Sequence, residues 1–370
     1  MQTRLLYGLL ALAAAGGTEA QSEENITVAV AGPLGGVYGE QMRRGAEAAV
    51  RNINNTGGLL GKNISISLHD DRCDPREAVK VAEEIVAANV AMVVGHFCSG
   101  ASIPASEIYQ DAGILQITPA SPHPRLTENG YDTVFRLGGR DDEQGNFGGE
   151  FLLSRFSAMR AGILHDNSEY GQRLADSARE TLQDGGGSVS YYAEVDARAG
   201  DFSEIIARLR GEGVGVVYYG GYAGALGRLV RQAGEEGYFP YVVAGDAAGT
   251  GEFWNAAGQW GDGAIFSAIA DPRESAASRE VVGEFRRQGH EPREYTLYAY
   301  AAVQIWADAV RRGEGFNSGE ISGILREHAF QTVIGEVSYR ENGDRRQGGW
   351  SWFVWDGGEY RDVGRDYRPF

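Results

Sequence analysis

The chain has 370 residues, of which 42% are hydrophobic and 23% are charged. This length exceeds what one hydrophobic core usually supports, so we expect two domains. The 51 acidic and 34 basic residues give a formal charge of −17. Such a charge repels phosphate backbones and anionic lipid surfaces, which argues against nucleic acid and membrane surfaces as partners.

The first 20 residues, MQTRLLYGLLALAAAGGTEA, have the order of segments that is typical of a secretory signal peptide. A basic Arg4 precedes an apolar stretch, which is too short to span a bilayer, and small residues follow it. We therefore predict a signal peptide at 1–20, cleavage after Ala20, and an exported mature chain without direct membrane insertion. A buried N-terminal helix is the alternative interpretation.

Strands and helices alternate along the first third of the chain. Short apolar runs such as ITVAVA and ILQIT predict strands, and loops rich in glycine and proline end them. Asp74 followed by Pro75 favours a helix start, because aspartate caps free N–H groups and proline fits the first helical position. The predicted strands are 26–31, 64–71, 91–97 and 114–118, and the predicted helices are 40–52, 74–86 and 103–113.

A second series of the same kind follows the VFRLGG segment. Strands that alternate with helices imply parallel sheets covered on both faces, so the predicted fold class is α/β with two doubly wound lobes. Aromatic-rich alternation near the C-terminus, at 335–358, predicts antiparallel strands around a tight turn. The predicted strands of the second series are 160–166, 189–195, 215–221 and 241–246, with helices at 171–183 and 201–211.

Cys73 and Cys98 are the only cysteines, and export would place them in an oxidising compartment. A disulfide is the favoured interpretation, and two free buried thiols are the alternative. A Cys98 nucleophile paired with His96 would need a thiolate, and Ser99 lies one place too late for a G-x-S-x-G elbow. The histidines lack metal-ligand spacing, and no phosphate-binding or dinucleotide motif is present. We therefore expect no enzyme, metal or cofactor.

The distinctive loops all follow predicted strands, where open parallel sheets bind ligands. Ser99 precedes a helix whose free N–H groups suit a carboxylate, although it could serve only as a helix cap. Asp246 could pair with an ammonium group, while Tyr170 and Tyr222 bring large faces with polar tips. Together these groups match a zwitterion such as a free amino acid.

Several segments resemble the leucine/isoleucine/valine-binding proteins of bacterial ABC transport. They are GPLGGVYGEQMRRGAEAAVRNINNTGGLLG, DDRCDPREAVKVAEEIV, VVGHFCSGASIPASEIYQDAGILQITPAS, HDNSEYGQRLA and VYYGGYAG. The resemblance runs over essentially the whole mature chain. It implies a type I periplasmic binding protein with two lobes joined by three crossovers, hinge closure on the ligand, a Cys73–Cys98 disulfide and an inner-membrane ABC permease as partner.

The resemblance also implies a ligand site. Ser99 would bind a carboxylate, Asp246 an ammonium group, and Tyr222 would lie beside that ammonium. The remaining residues carried over are the backbone of Ala120 with Ser121 at the head group, Tyr170 from the second lobe, and Phe97 and Tyr38 along the side-chain pocket.

One position departs from the family pattern. The family commonly has a threonine where this chain has Pro122, and that threonine supplies a hydroxyl and a backbone N–H. Proline supplies neither, and an unmade hydrogen bond in a closed cleft costs roughly 1–3 kcal/mol. We therefore expect a ligand other than a standard branched-chain amino acid: a different amino acid, an amide or a carboxylate.

The sequence thus predicts a periplasmic solute-binding protein of an ABC importer that binds a small polar ligand between its lobes. A ligand sensor of the same fold that signals to a membrane receptor is the alternative. The first lobe is expected at 22–139 plus 271–345, and the second lobe at 140–270 plus 346–370.

Overall fold

The computed structural model describes residues 25–269, 271–346 and 349–370. The predicted signal peptide, 1–20, therefore lies outside the described residues. Within these ranges, no helix combines the length and the apolar character that crossing a membrane requires.

Strands and helices alternate through most of the described chain, which confirms the predicted α/β fold class. The strands are Ile26–Gly32 (β1), Ile64–Asp70 (β2), Met92–Gly95 (β3), Leu115–Thr118 (β4), Val134–Arg136 (β5), Arg160–His165 (β6), Val189–Glu194 (β7), Val214–Gly220 (β8), Tyr241–Ala244 (β9), Ile265–Ile269 (β10), Phe330–Thr332 (β11), Gly335–Val337 (β12), Trp350–Asp356 (β13) and Glu359–Asp362 (β14). The helices are Val37–Asn55 (α1), Pro75–Ala87 (α2), Ser99–Ala112 (α3), Arg125–Glu128 (α4), Asp141–Arg155 (α5), Glu169–Asp184 (α6), Ser203–Gly211 (α7), Ala223–Glu235 (α8), Gly251–Ala257 (α9), Arg279–Arg287 (α10), Glu294–Gly313 (α11) and Ser318–Glu327 (α12).

The N-terminal sheet has the strand order β2-β1-β3-β4-β5, and all of its pairings are parallel. Strand β3 is buried along its whole length, as expected for a parallel strand covered by helices on both faces. Asp74 caps α2 by accepting hydrogen bonds from the N–H groups of Arg76 and Glu77, which confirms the predicted helix start.

Helix α3 begins at Ser99, one turn before the predicted start at residue 103. Pro104 lies inside this helix. The preceding strand ends at Gly95 rather than at residue 97. This shift leaves Phe97 and Cys98 in the loop between strand and helix.

The second sheet has the strand order β14-β13-β10-β9-β8-β6-β7. Strands β6 to β10 pair in parallel, whereas β13 pairs antiparallel with β10 and β14 pairs antiparallel with β13. The segment 335–358 does contain antiparallel strands, but the predicted pairing is wrong: β12 pairs with β11 in a separate two-stranded sheet, whereas β13 pairs with β10 and β14 and closes one edge of this sheet.

The chain returns to the N-terminal sheet through α10, α11 and α12. Helix α11 packs so closely on α1 that a Cβ at Gly45 would lie 2.0 Å from the carbonyl oxygen of Thr296. One hydrophobic core joins residues between 28 and 137 with residues between 281 and 339. The chain thus crosses between two lobes after β5, after β10 and before β13, and the exact boundaries at 139, 270 and 345 stay predictions.

Candidate functional site

The candidate site lies where parallel strands of both sheets end. Phe97 follows β3 and Ala120 follows β4 in the first lobe, whereas Tyr222 follows β8 and Asp246 follows β9 in the second. Because ligands bind beyond the carboxyl ends of strands in open parallel sheets, the topology brings these loops to one cleft.

A small cavity of ≈ 10 Å³ lies in this cleft. That space suits about one water molecule, so the lobes must separate before a larger ligand can enter. Tyr222 packs against the cores of both lobes, as expected for a closed arrangement. Five of the eight predicted binding residues line the cavity with three others; the lining is Phe97, Ala120, Pro122, Tyr170, Tyr222, Asp246, Ala247 and Tyr295.

Asp246 is the acidic group of this cavity. Its carboxylate accepts a hydrogen bond from the hydroxyl of Tyr170 at 3.0 Å and another from the hydroxyl of Tyr295 at 3.1 Å. Burial raises the pKa of Asp246, and the two tyrosine hydrogen bonds oppose that rise. Since Tyr295 lies in the first turn of α11 in the first lobe, the Tyr295–Asp246 hydrogen bond joins the two walls of the cleft.

Aromatic rings form the apolar part of the site. Tyr38 stacks on Phe97 with ring centroids 4.5 Å apart, and it also contacts Tyr222 and Tyr295 at 6.1 Å. Tyr170 lies 5.3 Å from Tyr222 across the same cluster. Tyr38 does not belong to the cavity lining, so it supports Phe97 from behind in this closed arrangement.

Ser99 and Ser121 also lie outside the lining, and both are fully buried. The hydroxyl of Ser99 accepts a hydrogen bond from the backbone N–H of His123 at 3.3 Å. The hydroxyl of Ser121 donates to the carbonyl of Phe97 at 2.8 Å. The closed cleft therefore uses both hydroxyls within the protein, and their predicted contacts with a ligand stay predictions.

The backbone at the predicted head-group position is also engaged. The N–H groups of Ala120 and Ser121 both donate to the hydroxyl of Thr118, at 3.2 Å and 2.9 Å. Pro122 has no N–H to offer. Few hydrogen-bond donors of this loop therefore face the cavity.

The Cys73–Cys98 disulfide is present, with the two Cα atoms 5.4 Å apart, which confirms the predicted bridge. Cys98 is the residue directly before α3, and Cys73 donates its N–H to Asp71 at 2.8 Å. The fully buried His96 binds Asp71 through Nδ1 at 2.6 Å. These contacts fix both sides of Phe97 and so position one wall of the cavity.

Sequence reasoning missed two groups near the cleft. Tyr295 lines the cavity from α11, about 70 residues beyond Tyr222 in the chain, and no local motif marks it. Asp141 begins α5 directly after the first crossover and is fully buried. An acidic residue beside a predicted crossover was the one signal that could have identified Asp141.

A sequence profile of the family described as "Periplasmic binding protein" matches residues 25–359. The chain belongs to the periplasmic binding protein family. The Leu/Ile/Val-binding protein homolog 1 of Brucella abortus is 38% identical over 359 residues, which cover 96% of this chain and 97% of that protein. A leucine-, isoleucine-, valine-, threonine- and alanine-binding protein of Pseudomonas aeruginosa is 32% identical and covers 95% of this chain and 96% of its own length.

Solved structures of similar proteins have the same architecture. The substrate-binding protein LivJ of Streptococcus pneumoniae, in complex with isoleucine, superposes with a TM-score of 0.83 at 25% identity, over 92% of this chain and 100% of that chain. A solute-binding protein of an ABC transporter from R. palustris, in complex with benzoate, superposes with a TM-score of 0.82 at 18% identity, over 92% and 96% of the two chains, which shows a shared fold. This periplasmic binding protein therefore has the type I fold that the sequence predicts.

Proposed function

We propose that this periplasmic binding protein delivers an amino acid, or a related small amide or carboxylate, to an inner-membrane ABC permease. The relatives are named as amino-acid-binding proteins, and the ABC importer role follows from the family. The ligand binds between the lobes after they open, and the permease recognises the closed form. Export through the predicted signal peptide places the protein in the periplasm.

The observation that carries this proposal is the contact of Asp246 with both walls of the cleft. Its carboxylate meets Tyr170 of the second lobe and Tyr295 of the first, between the aromatic faces of Phe97 and Tyr222. An acidic group among hydroxyls and rings suits a small ligand that has one polar end and one apolar end. Proline at position 122 removes one donor, which favours a ligand with few head-group demands.

Thermal unfolding of the chain without residues 1–20, freed of carried-over ligand, tests this proposal against a panel of amino acids, amides and small carboxylates. A ligand at a thousand times its dissociation constant stabilises by about 4 kcal/mol, which raises the unfolding midpoint visibly. We expect at least one member of the panel to do so. A panel in which no member moves the midpoint would contradict the proposal.

Asp246→Asn tests whether the stabilising compound binds in this cleft. We expect the variant to bind amino acids more weakly than the wild type, because it loses the charge that faces the ligand. Asp308→Asn is the matched control, since the side chain of Asp308 on α11 is 40% exposed and pairs with Arg312. Equal loss of the midpoint shift in both variants would place the ligand elsewhere.

A further inference from the structure

A second buried acid stands close to the cleft. Asp141 is the first residue of α5, and 0% of its surface is exposed. Neither of its carboxylate oxygens has a hydrogen-bond partner among the described residues. An unpartnered carboxylate inside a protein destabilises the fold, so a functional role would explain why one is present here.

The backbone ties Asp141 to the wall of the cavity. Its N–H donates to the carbonyl of Pro122 at 3.0 Å, and Pro122 lines the cavity. One turn along α5, Gln144 lies against the loop that holds Asp246, because a Cβ at Gly245 would be 3.6 Å from its Nε2. The first turn of α5 therefore runs along the acidic side of the cleft.

Electrostatic effects agree with this placement. After burial, the charge of Asp246 is the largest cause that raises the pKa of Asp141. The charge of Asp141 in turn contributes to the raised pKa values of Tyr170 and Tyr222, where burial is the main cause. Asp141 thus acts electrostatically on three residues of the cavity lining.

The arginines near Asp141 do not neutralise this pair of acids by direct contact. Arg136 lowers the pKa of Asp141 at a distance, but its guanidinium is bound to Asp344. Two carboxylates in one buried region favour the arrival of a cation. A primary ammonium group has three N–H donors, which is enough to serve both acids at once.

We propose that Asp141 is a second acidic residue of the ligand site, and that Asp141 and Asp246 together bind the ammonium group of the ligand. This inference rests on the proposed function and narrows it to ligands that carry a charged amine. A simple carboxylate such as benzoate would bring a further negative charge next to two acids, so the site rejects it.

Calorimetric titration of matched pairs of compounds tests the proposal directly. The pairs are L-leucine with 4-methylpentanoate, L-phenylalanine with 3-phenylpropanoate, and L-alanine with propanoate, so that each pair differs in the amine alone. In at least one pair, we expect the wild type to bind the amino acid at least tenfold more tightly than the carboxylate that lacks the amine. Asp141→Asn should weaken the binding of that amino acid at least tenfold and change the affinity for its amine-free analogue less than twofold.

Asp142→Asn is the matched control. Asp142 lies on the same helical turn, but its carboxylate is held by Arg140 at 2.8 and 3.0 Å. We expect this variant to retain the preference for the amine. The wild type alone can be compared for its affinity towards each amino acid and the matching carboxylate. The proposal therefore remains testable even if Asp141→Asn does not fold.

The possible failures are distinguishable. Binding of carboxylates without the amines would overturn the role of Asp141 and leave the proposed function standing. Unchanged amine affinity in a folded Asp141→Asn variant would do the same. Binding of no compound in any pair would contradict both the inference and the proposed function.

Discussion

Asp344 and Asp141 are both buried carboxylates beside the crossovers between the lobes, yet their surroundings are opposite. Asp344 accepts hydrogen bonds from Arg136 Nε at 2.9 Å and from Arg140 Nη1 at 3.0 Å. Although burial opposes the change, these arginines lower the pKa of Asp344. Among the described residues Asp141 has no such partner, and burial followed by the charge of Asp246 raises its pKa.

The difference separates a structural acid from a binding acid. Asp344 also accepts a hydrogen bond from Thr127 at 2.9 Å, so its charge is compensated and its position is fixed within the crossovers. A buried charge with partners stabilises the fold, whereas a buried carboxylate without partners is stabilised by protonation or by a bound cation. Asp344 is therefore held by its arginine partners, whereas Asp141 is the acid that we propose for the ligand.

The largest effect should come from Asp344→Asn. This variant leaves the fully buried Arg136 without its charge partner, and breaking a buried pair costs about 3–5 kcal/mol. We expect a much lower free energy of unfolding in a urea titration. Asp308→Asn on α11, where the side chain is 40% exposed, is the control and should change the free energy of unfolding by less than about 0.5 kcal/mol. Equal free energies of unfolding for Asp344→Asn and Asp308→Asn would contradict the structural role of Asp344.

Asp141→Asn should change stability in the other direction, by on the order of 1 kcal/mol, because it removes an uncompensated buried charge. The folded protein binds more protons than the unfolded chain wherever the folded pKa is the higher one, so wild-type stability falls as the pH rises. The free energy of unfolding of Asp141→Asn should therefore exceed that of the wild type by a margin that grows above about pH 4 and disappears below it. The charged groups that act on Asp141 are Asp246, Asp142, Arg136 and Arg173.

Chemical denaturation of wild type and Asp141→Asn from pH 3 to pH 8 measures this gap. Asp142→Asn serves again as the control. Arg140 lowers the pKa of Asp142, so this variant loses a stabilising pair and should be less stable than the wild type at high pH, the opposite of Asp141→Asn. A gap between wild type and Asp141→Asn that stays constant with pH would show that the carboxylate of Asp141 is not the cause.

The fold was predictable because its signals are local. The run ITVAVA predicts β1, and Asp74 with Pro75 predicts the start of α2. The exception is the start of α3, which lies at Ser99 rather than at residue 103, and the helix continues through Pro104. Packing of the surrounding elements overrides a local propensity in such a case.

The site was predictable only where residues follow strands. Phe97, Tyr222 and Asp246 lie at strand ends, and the topology alone brings them together. Tyr295 lines the cavity and Asp141 lies beside it, and both belong to helices of distant segments, so their proximity depends on how the lobes pack. The engagement of the Ser99 and Ser121 hydroxyls within the protein also depends on packing, which a single sequence does not reveal.

Proton release on ligand binding tests the central claim most directly, since a cation that reaches two acids with raised pKa values must displace protons from them. Titration of the wild type with L-leucine, L-phenylalanine and L-alanine at pH 5, 6 and 7, in buffers of different ionisation enthalpy, counts those protons. The account predicts that binding releases protons, that the affinity for the amino acid rises with pH, and that Asp141→Asn releases fewer protons. Binding of an amine with no proton release at any pH would contradict it.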